Sequence, residues 1–286
     1  MTVALLVCPA AGLGAAGRVA GTVASRLREA CGDVQLLVAS DAEGTIRLAH
    51  KAVHDGAEVL AVLGGDGAAH AGVQACAGTE TALAVIPAGT GNDFARALDL
   101  SLDGVVEALR SGRRRAIDLG RVQRGAWFGT VLCAGFDSAV NERVNRMRWP
   151  RGPRRYDLAI VMELAQLRSR PLTVRTPAGE VELEATLIAI GNTPFYGGGV
   201  PICPDADPGD GLLDVTIAGR AGRAELMRIL PKLRTGRHVD HPVVTTLRAS
   251  SVAIAGNDWI GYADGERQRE LPLTVECVPS ALRVVA

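Results

Sequence analysis

No apolar run of about 18 residues occurs in this chain, which leaves no segment that reads as a membrane-spanning helix. Neither charge is in excess. Acidic and basic residues number 31 each, so no global field draws the protein to nucleic acid or to a membrane, and any such attraction has to be local. There is no CxxC pair and no dense cysteine framework. Cys8, Cys31, Cys76, Cys133, Cys203 and Cys277 are scattered, as reduced thiols of a cytosolic protein would be. Aromatic side chains are scarce, although hydrophobic content is ordinary for a globular protein. The opening "MTVALLVCPAAG" lacks a basic n-region, its apolar run is too short for a secretory segment, and it reads as a first strand.

What the chain does have is a change of texture near its middle. Over the first part, strands are expected at "VALLVC" (3–8), "VQLLVA" (34–39), "EVLAVL" (58–63) and "ALAVIP" (82–87). Between them lie helical patterns such as "AGRVAGTVASRLREA" (16–30) and "GTIRLAHKAVHD" (44–55). Short buried strands joined by helices imply parallel βαβ units. Later, "TVRTPAGEVELEATLIAIGN", "GLLDVTIAG", "VVTTLRASSVAIAG", "DWIGYADGE" and "LPLTVECV" read as mainly hairpin-linked, antiparallel strands, with helices at 156–169 and 223–233. The length of 286 residues suits two domains. We expect an α/β domain over 1–120 and a β-rich domain over 121–286, parting near Asp118 to Arg124.

Ligands of open parallel sheets bind beyond the carboxyl ends of the strands. Two glycine loops lie at such ends, "VLGGDG" (62–67) and "AGTGND" (88–93). Glycines on both sides of Asp66 suit backbone N–H groups turned toward an anion. A plain strand-to-helix turn with small residues is the alternative on that stretch alone. "GLGAAG" (12–17) matches GxGxxG in form, with Asp41 after the second strand. However, "PAA" separates the strand from the first glycine, which argues for a longer loop and against a dinucleotide fingerprint.

The pairing of "GGDG" with "PAGTGNDFARAL" (87–98) resembles the diacylglycerol kinase catalytic-domain family, which includes bacterial lipid kinases and sphingosine and ceramide kinases. "CPAAGLG" (8–14) is similar to the family's first loop, "PICPDADPGDGLLDV" (201–215) to the segment before its Gly-Leu-Leu-Asp strand, and "YADGE" (262–266) to its late Asp-Gly-Glu turn. The resemblance covers nearly the whole chain. It implies a two-domain kinase with ATP in the cleft, built from a phosphofructokinase-like α/β domain with a parallel sheet and an antiparallel β-sandwich domain.

Moving a γ-phosphoryl group needs backbone donors, a divalent cation and a group to orient the attacking hydroxyl. By resemblance Gly64, Gly65 and Gly67, with the following Ala68, Ala69, His70 and Ala71, surround the phosphates, and Asp66 approaches Mg²⁺ directly or through water. Ser40, Thr90, Asn92 and Asp93 lie near the nucleotide, although Asn92 and Asp93 also open a helix and make good caps. The 201–215 segment corresponds to the family's structural Mg²⁺ loop, with Asp210 as carboxylate ligand and the carbonyls of Asp207 and Leu212 assisting. Glu266 is the first choice for general base on the acceptor hydroxyl, and Asp264 the second. The chain departs from the family pattern at Ala68, His70 and Ala71, where Thr, Asn and Glu are usual, and at Cys8 and Ala11, where Asn and Ser are usual. Weaker phosphate binding is the expected effect.

Other readings stand beside these. "DADPGDG" (205–211) lacks EF-hand spacing and also reads as a solvated acidic loop. "HVDH" (238–241) reads as a loop before a strand rather than a metal pair. "RVNRMRWPRGPRRY" (143–156) has six arginines and no acid. It either seats the protein on an anionic membrane, at about 1 kcal/mol per arginine at best, or forms a solvated loop into the helix "YDLAIVMELAQLR". The expectation is a cytoplasmic enzyme, peripheral at the inner membrane surface, that transfers the γ-phosphate of ATP to diacylglycerol or a similar lipid, with Mg²⁺ and without nucleic acid. A kinase of a small non-lipid alcohol, a catalytically weak nucleotide-binding protein of the same fold, and a homodimer stay open. NAD kinase shares a GGDG loop, but "PAGTGNDFA" favours the lipid-kinase branch.

Overall fold

A computed structural model describes residues 1–136, 143 and 169–286. The first domain runs β1 (Val3–Val7), α1 (Ala11–Cys31), β2 (Val34–Val38), α2 (Ala42–His54), β3 (Val59–Gly64), α3 (Asp66–Cys76), β4 (Ala82–Pro87), α4 (Asp93–Ala97) and α5 (Leu102–Ser111). Every residue of β1 and β3 is buried, as a strand covered on both faces requires. β2 leaves Leu36 and Val38 exposed because it is the edge strand. The strands stand in the order β2-β1-β3-β4, all parallel, with Val3 opposite both Val34 and Val59. Helices α1 and α5 cover one face through Val23, Leu27, Val105 and Leu109. The other face packs against α2 and α3 through Ala49, Ala52, Ala71 and Val73.

From β1 the chain moves outward to β2, whereas from β3 it moves the opposite way to β4. A crevice therefore opens between the carboxyl ends of β1 and β3. The loops that follow β1, β3 and β4 all converge on that rim.

The second domain contains β5 (Arg115–Val122), β6 (Trp127–Phe128), β7 (Val131–Gly135), β8 (Arg170–Thr176), β9 (Gly179–Gly191), β10 (Phe195–Tyr196), β11 (Val200–Pro201) and β12 (Leu213–Gly219). Helix α6 (Arg223–Leu233) and a 3₁₀ turn (Arg237–Asp240) precede β13 (Val244–Ala249), β14 (Ser251–Ala255), β15 (Ile260–Ala263), β16 (Glu266–Glu270) and β17 (Leu273–Val284). Pairing within this domain is antiparallel, and the long β9 meets β7, β8 and β12. Phe128, Leu132, Ile188, Ile190, Val215 and Trp259 form its core.

Strand β17 joins the domains. It pairs antiparallel with β14 and β5, shifts register between Val278 and Leu282, and ends with Val284 parallel to Leu83 of β4. The Val285 N–H then donates to the Leu83 carbonyl at 2.9 Å. Ala281, Leu282 and Val284 are buried in the core of the first domain. One sheet consequently passes from β2 through β17 to β16. Among the described residues no helix is long and apolar enough to cross a membrane.

Candidate active site

The glycines at the rim answer to different neighbours. A Cβ on Gly64 would sit 2.6 Å from the Ala68 Cβ and 3.4 Å from the Cys8 Cβ, and one on Gly89 would sit 2.4 Å from the Gly65 Cα. Gly12, in the left-handed region, would press a Cβ to 2.0 Å from the Ala88 carbonyl oxygen. These glycines let three loops stack backbone to backbone. Gly67 is different: it is exposed, and a Cβ there would meet nothing within 4 Å. The "GLGAAG" loop takes left-handed backbone at Gly12, Leu13 and Gly14, and Asp41 caps α2 by accepting the Gly44 N–H at 2.7 Å.

Asp66 is the first residue of α3 and serves α4. Its carboxylate accepts the N–H groups of Asn92 at 3.0 Å and Asp93 at 2.8 Å, two orphan donors of that short helix. The cap that the sequence assigned to Asn92 and Asp93 thus comes from the first residue of α3. Asn92 has φ 58° and makes no cap bond; its amide instead closes on Gly89, accepting the N–H and donating to the carbonyl, both at 2.9 Å. Asp93 reaches across to the second domain, where its carboxylate accepts the N–H groups of Gly198 at 2.8 Å and Gly199 at 2.6 Å. Burial, the largest influence on Asp93, pushes its pKa up although both amides favour the charged form.

Thr90 is exposed on the same loop, and Ser40, exposed at the end of β2, donates to the Asp41 carboxylate at 2.9 Å. Ala68, Ala69 and Ala71 are buried core residues, which leaves only their backbone for a ligand. His70 is the polar member of that run. It stands one turn beyond Asp66, on the same face of α3.

Across from His70 stands the hairpin between β15 and β16. Asp264 and Gly265 both have positive φ, 50° and 85°, as a tight Asp-Gly hairpin turn demands. The Asp264 carboxylate is buried and accepts from Gly129 N–H at 2.9 Å, Thr130 N–H at 2.8 Å, and the Thr130 hydroxyl at 2.6 Å. Its fourth partner is His70 Nδ1 at 3.2 Å. Burial is the largest influence on each partner and disfavours both charges. The mutual hydrogen bond and attraction outweigh it, with help from Glu266 for the ring and from Thr130 and Gly129 for the carboxylate. His70 is therefore held above its ordinary pKa and Asp264 below. Glu266 is exposed, and its carboxylate accepts no hydrogen bond from the described residues.

The loop expected to hold Mg²⁺ has its charge arranged another way. Asp210 accepts the Leu212 N–H at 2.9 Å through one oxygen, and the other oxygen contacts the Arg248 guanidinium. Arg248 also reaches Asp214 through Nε at 3.3 Å. Asp207 accepts the Gly209 N–H at 3.0 Å. Asp118 pins the loop, accepting the Gly211 N–H at 2.7 Å and the Ser280 N–H at 2.8 Å. A guanidinium thus already stands against Asp210, the carboxylate expected to ligate Mg²⁺. Among the described residues no cluster of three or more His, Cys, Asp or Glu side chains is placed to hold a metal. Asp66 differs: it is only partly buried and beside the open Gly67, and its oxygens suit a hard cation carried in by phosphates.

The structure adds residues that the motifs did not point to. Gly198 and Gly199, the last two of three successive glycines with positive φ, receive Asp93, and the run "YGGGV" was the available signal. Nothing in sequence marked Thr130 or Arg248. His238 of "HVDH" is buried, with Nε2 3.0 Å from the Ile202 carbonyl oxygen. All six cysteines are free, with burial pushing Cys76, Cys203 and Cys277 to about 12. Apart from Arg143, the arginine stretch of 143–156 lies outside the described residues, as does the helix expected at 156–169 up to residue 168.

Comparison with known proteins decides what this arrangement belongs to. The diacylglycerol kinase catalytic domain matches residues 2–122, and the YegS C-terminal NAD kinase beta sandwich-like domain matches residues 130–286. A diacylglycerol kinase of Mycobacterium tuberculosis (strain CDC 1551 / Oshkosh) is 41% identical over 291 residues, spanning 99% of this chain and 94% of that protein. The chain belongs to the diacylglycerol kinase family. A family relative from Staphylococcus aureus (strain JH9) is 28% identical over 78% of this chain and 73% of its own length. A crystal structure of a diacylglycerol kinase from Bacillus anthracis str. Sterne gives a TM-score of 0.74 at 19% identity, covering 99% of this chain and 96% of that one. Another from the same organism reaches 0.82 at 21%, covering 99% and 94%. At those identities the structural likeness speaks for the two-domain fold, an α/β domain with parallel strands and a β-sandwich-like domain.

Proposed function

We propose that this chain is an ATP-dependent lipid kinase that transfers the γ-phosphate to the hydroxyl of diacylglycerol or a similar glycerolipid. The supporting observation is the polar line along α3. Asp66 ties the two phosphate-side loops together, and His70, one turn on, meets Asp264 of the opposite domain. Nucleotide and acceptor would thus be held by two domains that share one helix face.

ATP would lie over Gly65 and Gly67, with its phosphates toward the rim amides. Mg²⁺, arriving with the nucleotide, supplies charge neutralisation of the phosphates, and Asp66 is the residue that would hold it. The acceptor hydroxyl would approach from the side of Asp264 and Glu266. Asp93 keeps Gly198 and Gly199 against the nucleotide loop, which helps exclude water from the cleft. The arginines of 143–156 would seat the protein at the cytoplasmic face of an anionic membrane.

The test is radiolabelled ATP with Mg²⁺ and a panel of diacylglycerol, sphingoid bases and small alcohols in mixed micelles. We expect label in a glycerolipid. Label in a small alcohol alone would replace the lipid reading. ATP binding without transfer to any acceptor would point to a nucleotide-binding protein, in line with Ala68 lacking a hydroxyl beside the phosphates.

A further inference from the structure

On the lipid-kinase reading above, we propose that α6 is a membrane-docking helix. Its outer face binds anionic lipid headgroups and sets the mouth of the cleft beside the bilayer that holds the acceptor. The starting point is charge. Residues 220–237 carry six cations, Arg220, Arg223, Arg228, Lys232, Arg234 and Arg237, against one acid, Glu225. In a chain whose acidic and basic residues are equal in number, this is a local excess of one sign.

These cations are also uncommitted. Elsewhere Arg26, Lys51, Arg175, Arg248 and Arg283 each close on an acid. Arg220, Arg228, Lys232, Arg234 and Arg237 are exposed, and none of them meets a carboxylate among the described residues.

The helix arranges them around an apolar ridge. Ile229 is buried and Leu233, four residues on, is half-buried, which fixes the inner face of α6. Ala224, Met227 and Pro231, spaced i, i+3 and i+7, are exposed on the side away from it, Met227 to 62%. Arg228 and Lys232 lie along one flank of that ridge, and Arg234 stands on the other, just past the helix end. A water-facing methionine between cations suits a helix lying in a bilayer interface. The thioether enters the acyl boundary while the long basic stems reach back to phosphates.

Position separates α6 from the other basic run of the described chain. Arg110, Arg113, Arg114 and Arg115 lie near the start of β4, at the pole opposite the cleft, since Arg115 faces Val284 and Val284 faces Leu83. α6 stands elsewhere. Leu233 packs on a small core that holds Ile202 and Tyr196. The 3₁₀ turn after it is braced on the same segment, with Gly236 beside Pro204 and His238 Nε2 3.0 Å from the Ile202 carbonyl oxygen. Tyr196 belongs to the β10–β11 hairpin, and the adjoining Gly198 and Gly199 donate to Asp93 at the nucleotide loop. A bilayer seated on α6 therefore lies next to the cleft. The arginines of 143–156 supply a second basic contact. One weak signal alone gives only marginal membrane binding, so losing either contact releases the protein.

The experiment is co-sedimentation of the full chain with phosphatidylglycerol–phosphatidylcholine vesicles at low and high salt. The triple variant Arg228→Gln, Lys232→Gln, Arg234→Gln should weaken binding by at least about tenfold, and added salt should weaken wild type. A control triple, Arg110→Gln, Arg113→Gln, Arg114→Gln, should bind like wild type. Met227→Trp should add a fluorescence signal that brominated lipid in those vesicles quenches. The α6 triple should keep its Mg-ATP melting shift and its rate on a short-chain diacylglycerol below the micelle concentration. Its rate on long-chain diacylglycerol in the vesicles should fall by at least about tenfold. An α6 triple that sediments like wild type overturns the proposal, and so does an equal loss in the control triple. Unquenched Trp at position 227 on vesicle-bound protein overturns it as well. Wild type that ignores vesicles but is retained on polyglutamate through α6 hands the face to an acidic protein. Wild type that labels neither acceptor sinks the lipid-kinase reading, while sedimentation and quenching judge α6 on their own.

Discussion

A methyl group at Gly67 meets no atom within 4 Å and requires no left-handed backbone, so the fold gives no reason for glycine there. Gly67→Ala should melt at or slightly above the wild-type temperature, since alanine is the better helix residue. If phosphate oxygens approach that position, the same change should abolish the stabilisation that Mg-ATP gives. Differential scanning fluorimetry with and without Mg-ATP reads both, and an undiminished ATP shift would move the nucleotide away from this turn. Asp66 calls for a different pair of variants. Asp66→Ala strips the acceptor from two amides of α4 and should cost about 0.5–2 kcal/mol, as lost caps do. Asp66→Asn keeps an acceptor oxygen and should stay close to wild type when melted without ligand, while both variants lose the Mg-ATP shift. At this scale the sequence was a fair guide wherever glycine met backbone. It could not separate Gly64 and Gly65, fixed by Ala68 and Gly89, from Gly67, because close packing and ligand approach select the same residue. His70 was visible only as a departure from a family pattern, since its partner lies 194 positions away.

Among the elements, the parallel strands were legible because β1, β3 and β4 are buried on both faces and read as unbroken apolar runs. "VVTTLRASSVAIAG" read as one strand is two. It breaks at Ser250, with β13 paired to β12 and β14 to β8 and β17. An alternating pattern does not say which neighbour a strand has, so the switch left no mark. The 205–212 loop was legible as a special segment but not as one clipped by Arg248, because β13 lies well beyond it in sequence. Added Mg²⁺ or EDTA should leave the apo melting temperature unchanged, whereas Arg248→Gln should lower it, more at low salt than at high, as an exposed ion pair would. A rise in melting temperature with Mg²⁺ alone would instead place a cation in that loop. The arginine stretch makes its own prediction: binding to anionic vesicles should weaken as salt rises. Reversing the charge of Arg148, Arg151, Arg154 and Arg155 should abolish it while ATP binding persists. Equal binding to neutral vesicles would remove the electrostatic argument.

At the scale of the whole molecule, the His70–Asp264 contact ties one domain to the other, and its contribution to stability follows the two titrations. His70 is held above its ordinary value, so its share is complete below about pH 6.5 and is lost as pH rises through the higher folded value. Asp264 is held below its ordinary value, so its share is complete above about pH 3.9 and is lost as pH falls through the lower folded value. The tie is thus strongest in mildly acidic solution. Wild type should lose more melting temperature than His70→Asn between mildly acidic and mildly alkaline buffer, and parallel losses would show that the ring carries no charge in the fold.

The last strand has a consequence for how the protein is made. A ribosome delivers every helix of the first domain long before it delivers Ala281, Leu282 and Val284, the side chains that finish that domain's interior. Until then β4 has no neighbour beyond it, and its open edge is an invitation to strands of other nascent chains. The two domains are consequently not beads that fold in turn. The first domain waits on β17, and a chain cut short before Ala281 leaves that domain with a hole in its core.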